Sequence, residues 1–202
     1  SDAITLYVDP DRLLPQTDPF NRQITIGLGC FLELLRMAAA EDGYQADLML
    51  FPQGSNVKAL DQRPIARIAL TADSAFTRDP LFAWVLARRS NKEPYDTTRS
   101  IAPELLTQIS AAATKGTRFG GTVDAAQVAE WRALTREALR IEALTPHTFQ
   151  ESVDLFRIGR HEVDANPDGI DFSGPMFESM HLTGMFSREV AADPTSFAFK
   201  VG

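Results

Sequence analysis

Three cations and a hydroxyl group lie within five consecutive residues of this sequence, which are Arg88, Arg89, Ser90, Asn91 and Lys92. The planar fork of arginine, the compact charge of lysine and the hydroxyl of serine together suit a phosphate group. Because side chains two residues apart in an extended segment point to the same side, Arg88, Ser90 and Lys92 can converge on one anion. Arg89 and Asn91 would then face the other way. The alternative is that the cations complement the negative end of a preceding helix and stay solvated.

This basic stretch is a local exception in an acidic chain. The sequence has 202 residues, of which 44% are hydrophobic and 23% charged, and its formal net charge is −7. This is the composition of an ordinary globular protein with one large domain or two small ones. The negative charge disfavours broad binding to nucleic acid or to anionic membranes, so we expect neither partner. No apolar run approaches the roughly 20 residues of a membrane span, so we also expect no membrane insertion.

The single cysteine, Cys30, excludes an intrachain disulfide and a zinc site built from cysteines. It lies in an apolar run, where we expect a small buried side chain. A lone thiol does not report the compartment. The N-terminus shows no secretory signal pattern, but a longer parent chain could have carried a targeting segment. The sequence therefore leaves the localisation open between cytoplasm and export.

Residues 164–175 superficially fit a calcium-binding loop, but Pro167 lies inside it and Pro175 occupies the place of the bidentate glutamate. We therefore predict a turn there. The histidines have no paired ligand spacing, so we predict no metal site; they are His147, His161 and His181. No serine stands in a recognisable arrangement with a histidine and an acid, so no residue is predicted to be catalytic.

The periodicity of the sequence predicts a helix-rich α+β fold. Alternating or β-branched runs predict strands at residues 4–8, 46–51 and 64–70. Start signals such as Asp-Pro predict helices at residues 19–42, 81–87, 103–113, 124–143 and from 146 onward. We further expect an irregular acidic segment at 162–175, a short apolar helix around 176–180 and a strand-like tail at 196–201.

The helix predicted at about 19–42 begins with Asp18 as N-cap and Pro19 at the first helical position. It is apolar on nearly all sides between residues 24 and 40, so we predict a buried central helix. Gly27 and Gly29 inside this helix each cost about 1 kcal/mol relative to alanine. We expect tight helix packing to compensate, with the close approach of a flat ligand as the alternative.

The segment that begins with the basic stretch resembles the opening of the nitroreductase superfamily. The resemblance rests on the Arg88, Ser90 and Lys92 pattern, on Tyr95, and on the runs at residues 101–106 and 111–113. In that family the three alternate residues of an Arg-x-Ser-x-(Arg/Lys) signature contact the phosphate and ribityl chain of FMN. Carried over by position, the resemblance implies that Arg88, Ser90 and Lys92 bind FMN. It also implies a nitroreductase-like α+β fold, with helices packed around a small, mainly antiparallel sheet.

A second resemblance lies upstream and concerns the Acg-like branch of that superfamily, whose members are similar to two nitroreductase halves fused in one chain. It rests on residues 18–23, 27–29, 34–40, 43–44 and 51–52. It implies that residues 1–75 are the later part of a first nitroreductase-like half, and that residues 79–202 are the opening part of a second, packed as one unit. The chain departs from the family after Ala113, where an Asn-x-Gln-Pro-Trp segment is absent. It therefore reads as a middle piece.

The resemblance implies an FMN-dependent oxidoreductase that passes hydride from NAD(P)H through the flavin to a nitroaromatic or quinone-like acceptor. The flavin would supply the chemistry, and the protein would bind and position it. Two alternatives stay open: a protein that binds or sequesters FMN without turnover, and a degenerate nitroreductase fold that serves only in assembly. The expected partners are the flavin, a small aromatic acceptor, and either a second copy of the chain or the missing parts of its parent.

Overall fold

The computed structural model describes residues 3–56, 58–73, 77–90, 94–112, 118–193 and 195–196. The chain divides into two compact units. The first unit comprises Ser1–Arg89 together with Gln150–Gly202, and the second unit comprises Ser90–Phe149. The predicted division into nitroreductase-like halves at residues 75 and 79 does not coincide with this boundary and stays a prediction.

A three-stranded antiparallel sheet lies in the first unit, as predicted. Its strands are β1 (Ala3–Leu6), β2 (Tyr44–Leu50) and β3 (Ala66–Ala72), in the order β1-β3-β2. Leu6 lies opposite Ala66, and Leu48 lies opposite Ile68. Each end of the three strands differs from the predicted one by one or two residues, the usual uncertainty of strand termini.

One helix, α1 (Arg22–Glu41), covers one face of this sheet. Leu32 of α1 forms a buried core with Ala66 and Ile68 of the central strand. Partly buried residues of β1, β2 and α1 surround this core, namely Leu6, Leu35, Ala46 and Leu48. Because a fully buried leucine or isoleucine contributes about 1.5–3 kcal/mol, this small cluster is the main attachment of α1 to the sheet.

The predicted start signal at Asp18 is used, but the helix begins three residues later than the Asp-Pro pattern indicates. Asn21 is the N-cap in a left-handed conformation (φ 52°), which asparagine tolerates better than most residues. The buried Asp18 carboxylate accepts hydrogen bonds from the backbone N–H groups of Arg22 at 2.7 Å and Ile24 at 3.0 Å. Asp18 therefore satisfies two of the free donors of the first turn from outside the helix.

The prediction that this helix is buried on nearly all sides is wrong. Its buried residues are Leu32, Met37 and Ala40, whereas Phe31 is 50% exposed and Ile26 is 60% exposed. Cys30 is exposed as well, which corrects the expectation of a buried thiol. The physical reason is that the sheet covers one face of α1, and no described element covers the other. We call this uncovered apolar face, formed by Ile26, Cys30, Phe31 and Leu34, the outer face of α1.

The two glycines of α1 lie in open surroundings. A Cβ atom built at Gly27 or Gly29 meets no atom within 4 Å. Tight packing against another part of the described chain therefore does not explain them, and that expectation is corrected. The alternative, a ligand lying against these glycines, stays a prediction.

Among the helices in the described ranges, α1 has the length and hydropathy of a membrane-spanning helix. An apolar core helix of a water-soluble protein can have the same length and hydropathy. In α1, one face packs against the sheet and a Glu33–Arg36 ion pair lies in the middle of the helix. These are the features of a helix in an α+β layer, and the absence of membrane insertion stays our prediction.

The helix expected at residues 81–87 is a 3₁₀ helix, Pro80–Trp84, followed by a turn. Its start was predicted correctly, because the Asp79 side chain accepts a hydrogen bond from the Leu81 N–H at 2.9 Å. Its length was not. Trp84 is 66% exposed and Leu86 is 87% exposed, so packing contributes little to extending so short a helix.

The helices of the second unit follow the predicted bounds closely. They are α2 (Pro103–Ala112) and α3 (Ala125–Leu144), and α4 (Pro146–Asp154) begins there. Asp124 caps α3 by accepting a hydrogen bond from the Gln127 N–H at 2.9 Å, as the sequence predicted. No described residue of the second unit is buried.

The last part of the first unit contains β4 (Phe156–Ile158), α5 (Arg160–Ala165), β5 (Ile170–Phe172), α6 (Pro175–Leu182) and α7 (Arg188–Ala192). The apolar helix expected around 176–180 is therefore present as α6. The irregular segment expected at 162–175 is wrong, because it contains part of α5 and all of β5. The strand-like tail at 196–201 lies outside the described residues, except for Ser196.

The strands β4 and β5 pair in parallel, with Ile158 opposite Phe172. Gly169 before β5 has φ +75°, and a Cβ atom there would lie 2.3 Å from the Leu155 carbonyl oxygen. Only glycine fits this close approach. Four aromatic rings pack beside the pair, with centroid distances of 4.5–6.4 Å; they belong to Phe156, Phe172, Phe177 and Phe186. This aromatic packing is non-local, so the alternating pattern of the sequence did not reveal it.

Candidate functional site

A chain of side-chain contacts anchors the 3₁₀ helix that leads into the basic stretch. Arg36 of α1 binds Glu33 through two hydrogen bonds of 2.6 and 2.9 Å. The same guanidinium reaches the Asp79 carboxylate at 3.5 Å. Hydrogen bonds from Arg36 hold the pKa of Glu33 below its ordinary value, which keeps both partners charged at neutral pH. Asp79 also caps the 3₁₀ helix. The contact between Arg36 and Asp79 therefore links the start of residues 80–88 to α1.

The carbonyl groups at the end of this segment are already occupied. The Trp84 carbonyl accepts hydrogen bonds from the Ala87 N–H at 3.1 Å and the Arg88 N–H at 2.8 Å. The Arg89 guanidinium donates to the carbonyl oxygens of Leu86 and Arg88, each at 2.8 Å. Arg89 therefore neutralises the negative end of the turn, the role that sequence reasoning offered as the alternative for all the cations.

The predicted site residues fall in different parts of the described chain. Arg88 is exposed, and its guanidinium makes no hydrogen bond or ion pair with another described residue. Ser90 is exposed and is the first residue of the second unit, whereas Arg88 belongs to the first. Lys92 and its neighbour Asn91 lie outside the described residues. Convergence of Arg88, Ser90 and Lys92 on one anion therefore stays a prediction.

Sequence reasoning missed a cleft of about 530 Å³ within the second unit. It lies between the loop that precedes α2, the first turn of α2 and the middle of α3; its lining residues are Tyr95, Asp96, Thr97, Arg99, Ser100, Ile101, Leu105 and Arg132. Its volume falls in the range of small-molecule sites. Because Arg132 follows the loop by more than thirty positions, no local motif joins it to Arg99. The local signal was limited to Arg99, which follows Tyr95 closely in the sequence.

Other titratable clusters in the described chain serve structural contacts. Asp168, in the calcium-like loop, accepts hydrogen bonds from Arg157 at 2.8 Å and from Arg12 at 2.6 Å. These two guanidinium groups, Arg157 first, hold the pKa of Asp168 below its ordinary value. Glu162 binds Arg188, and His181 Nδ1 lies 3.1 Å from the Phe186 carbonyl. The described residues contain no group of three or more side chains suited to a metal ion.

Comparison of the chain with protein-family models, with curated protein sequences and with solved structures finds no match in any of the three. The class that the structure itself defines is an α+β protein with a small antiparallel sheet. The finer assignment to a nitroreductase-like fold belongs to the proposal that follows.

Proposed function

We propose that this chain is part of a nitroreductase-like flavoprotein and that its basic stretch holds the phosphate and ribityl chain of FMN. The observation that carries the proposal is the division between two adjacent arginines, one bound to the backbone and one exposed. The guanidinium of Arg89 donates to two backbone carbonyl groups, whereas that of Arg88 makes no hydrogen bond or ion pair with another described residue, and Arg88 is exposed. This is the division that alternation predicts, with Arg88 on the ligand side and Arg89 on the other.

The electrostatics of the segment support an anion. Carbonyl groups at the end of a helical segment repel phosphate, but here those of Trp84, Leu86 and Arg88 accept hydrogen bonds. The guanidinium of Arg89 adds positive charge on the same turn. Arg88 is thus free to form a bidentate pair with a phosphate group, Ser90 can donate a neutral hydrogen bond, and Lys92 can add a point charge.

Bound FMN would supply hydride transfer from NAD(P)H to a nitroaromatic or quinone-like acceptor. The residues of this chain would hold the anionic end of the cofactor and thereby orient it. No described residue is assigned to the flavin ring, and none is assigned as a catalytic acid or base. The proposed contribution of this chain is therefore binding and orientation.

The test is a titration of the protein with FMN, in which the quenching of flavin fluorescence measures binding. Replacing both Arg88→Ala and Lys92→Ala is expected to lower FMN affinity at least tenfold, because two charge-assisted contacts are removed. Arg89→Ala is the matched control, because it removes one cation from the same stretch; its affinity is expected to stay within about threefold. Unchanged affinity in the double variant would contradict the phosphate assignment.

Assembly without flavin is the second candidate function, and the outer face of α1 favours it. Ile26, Phe31 and Leu34 present an apolar surface that no described element covers. The colour of the purified protein separates the candidates, since a yellow protein with a flavin absorption band rules out a role in assembly alone. Bleaching of that band by NAD(P)H and its return on adding an acceptor would distinguish turnover from sequestration.

A further inference from the structure

We propose that the cleft between the loop before α2 and the middle of α3 binds a planar aromatic monoanion, with Arg99 and Arg132 pairing with its acidic group and Tyr95 with its ring. None of its lining residues belongs to the basic stretch at residues 88–92. The proposal concerns binding alone and does not depend on FMN.

The charges of the cleft favour an anion. Arg99 and Arg132 line it, and neither side chain makes an ion pair with another described residue. By contrast, Arg140, two turns further along α3, pairs with Glu137 at 2.7 Å. Two arginines in the lining of one cleft offer the guanidinium donors that a carboxylate accepts.

One carboxylate, that of Asp96, also lines the cleft and limits the charge of the ligand. Its Oδ1 atom accepts hydrogen bonds from the Thr98 hydroxyl at 2.6 Å and the Thr98 N–H at 3.0 Å. These bonds hold the pKa of Asp96 below its ordinary value, so the group is ionised at neutral pH. The three charged groups of the lining carry a net charge of +1. A ligand with a single negative charge therefore matches the cleft better than a dianion.

The remaining walls favour an aromatic ring. Tyr95 is 84% exposed, so one face of its ring is available for stacking. Ile101 and Leu105 line the cleft as apolar side chains that are 58% and 46% exposed. Covering these three residues would remove apolar surface from water, at about 25 cal/mol per Å². An aliphatic anion such as acetate would use the arginines but leave this surface exposed.

The loop is held in shape before any ligand arrives. The Arg99 N–H donates to the Asp96 carbonyl at 3.3 Å, which closes a turn over residues 96–99. The Asp96 side chain reinforces this turn through its two hydrogen bonds with Thr98. Arg99 therefore extends from a constrained backbone, and Arg132 from the middle of a regular helix. Such preorganisation reduces the entropy lost on binding.

The experiment is isothermal titration calorimetry of the full chain with 4-nitrobenzoate, with acetate and nitrobenzene as probes that lack the ring or the charge. We expect 4-nitrobenzoate to bind at least tenfold more tightly than either probe. Arg99→Gln and Arg132→Gln are each expected to weaken 4-nitrobenzoate binding at least tenfold. Arg136→Gln is the matched control, because Arg136 lies one turn further along the same exposed helix and does not line the cleft.

A variant that is expected to gain affinity distinguishes a loss of contacts from misfolding. Asp96→Asn keeps an oxygen that can accept the hydrogen bonds from Thr98 and removes the negative charge. It is expected to bind 4-nitrobenzoate about threefold more tightly, a gain that a damaged fold would not produce. FMN affinity in Arg132→Gln is expected to stay within twofold of the parent value.

Several results would overturn the proposal. These are absence of measurable 4-nitrobenzoate binding, equal binding of acetate, or equal weakening by Arg136→Gln. A fall in FMN affinity in Arg132→Gln would also overturn it, because the cleft would then be part of the flavin site. Loss of FMN binding in the Arg88→Ala, Lys92→Ala variant, with 4-nitrobenzoate binding retained, is expected if the two sites are separate.

Discussion

The two longest helices, α1 and α3, have the same length and very different surroundings. Each is 20 residues long, and each has an aspartate that accepts hydrogen bonds from its first turn. α1 buries three residues and packs Leu32 against the central strand. α3 buries none, and its Leu134 is 59% exposed.

This comparison separates two properties that a helical pattern usually joins. Local capping signals and residue propensity indicate both helices, α3 to within one residue at each end and α1 with a start three residues early. Burial depends instead on whether another layer lies against the apolar side, and the described chain provides such a layer for one face of α1. Apolar residues on the outer face of α1 and along α3 therefore contribute little to stability in this structure, although their pattern is that of a core.

The largest expected effect concerns a matched pair of leucines, Leu32 in α1 and Leu134 in α3. Leu32→Ala is expected to lower the free energy of unfolding of the first unit by about 2–4 kcal/mol, because it leaves a cavity in the core. Leu134→Ala should change the stability of the second unit by about 0.5 kcal/mol or less. Urea unfolding can follow each unit separately by tryptophan fluorescence, using Trp84 in a Trp131→Phe background and Trp131 in a Trp84→Phe background. Equal effects of the two substitutions would mean that α3 has a packed face in solution.

The caps provide a second pair with a smaller expected difference. Asp18→Ala should cost about 1–2 kcal/mol, because Asp18 is buried and accepts two backbone N–H groups of α1. Asp124→Ala should cost about 0.5–1 kcal/mol, because Asp124 is exposed and accepts one. Urea unfolding in the same two tryptophan backgrounds measures both. A larger loss for Asp124→Ala would contradict the contrast between the helices.

The smallest expected effect concerns the ion pairs within the two helices. Hydrogen bonds from Arg36 lower the pKa of Glu33, so their stabilising contribution is present above the ordinary glutamate pKa. It is lost as the pH falls through the lowered pKa of the folded state. Because the pair is partly exposed, a double-mutant cycle of Glu33→Gln and Arg36→Gln at pH 7 should give about 0.3–0.5 kcal/mol of coupling. The same cycle at a pH below the lowered pKa should give none.

The corresponding pair in α3 serves as the control. Hydrogen bonds from Arg140 also lower the pKa of Glu137, but both side chains are more than half exposed. Its coupling at neutral pH should be smaller than that of Glu33 and Arg36, and more sensitive to added salt. Coupling as large as in α1 would indicate that Asp79, which extends the α1 pair, adds nothing measurable.

The candidate site was predictable to the extent that its signals are local. The Asp79-Pro80 start and the run of cations can be read directly, and the structure confirms the cap at Asp79. The anchoring of Asp79 by Arg36 joins residues 43 positions apart, so no pattern in the sequence indicated it. The cleft with Arg99 and Arg132 was missed for the same reason. The sequence also did not show which cations bind the protein's own carbonyl groups, as Arg89 does, because those contacts depend on the folded backbone.

The sequence by itself determined the elements: the caps at Asp79 and Asp124, the proline starts of α2 and α4, and the three strands of the antiparallel sheet. These depend on contacts within about four residues or on simple alternation. Only the tertiary structure decided that α1 is covered on one face and that Cys30 is exposed. It alone also paired β4 with β5 and placed Arg132 in the lining of the same cleft as Tyr95. The physical reason is that burial and clefts arise between segments far apart in the chain, and hydrophobic periodicity states which side is apolar without stating what covers it.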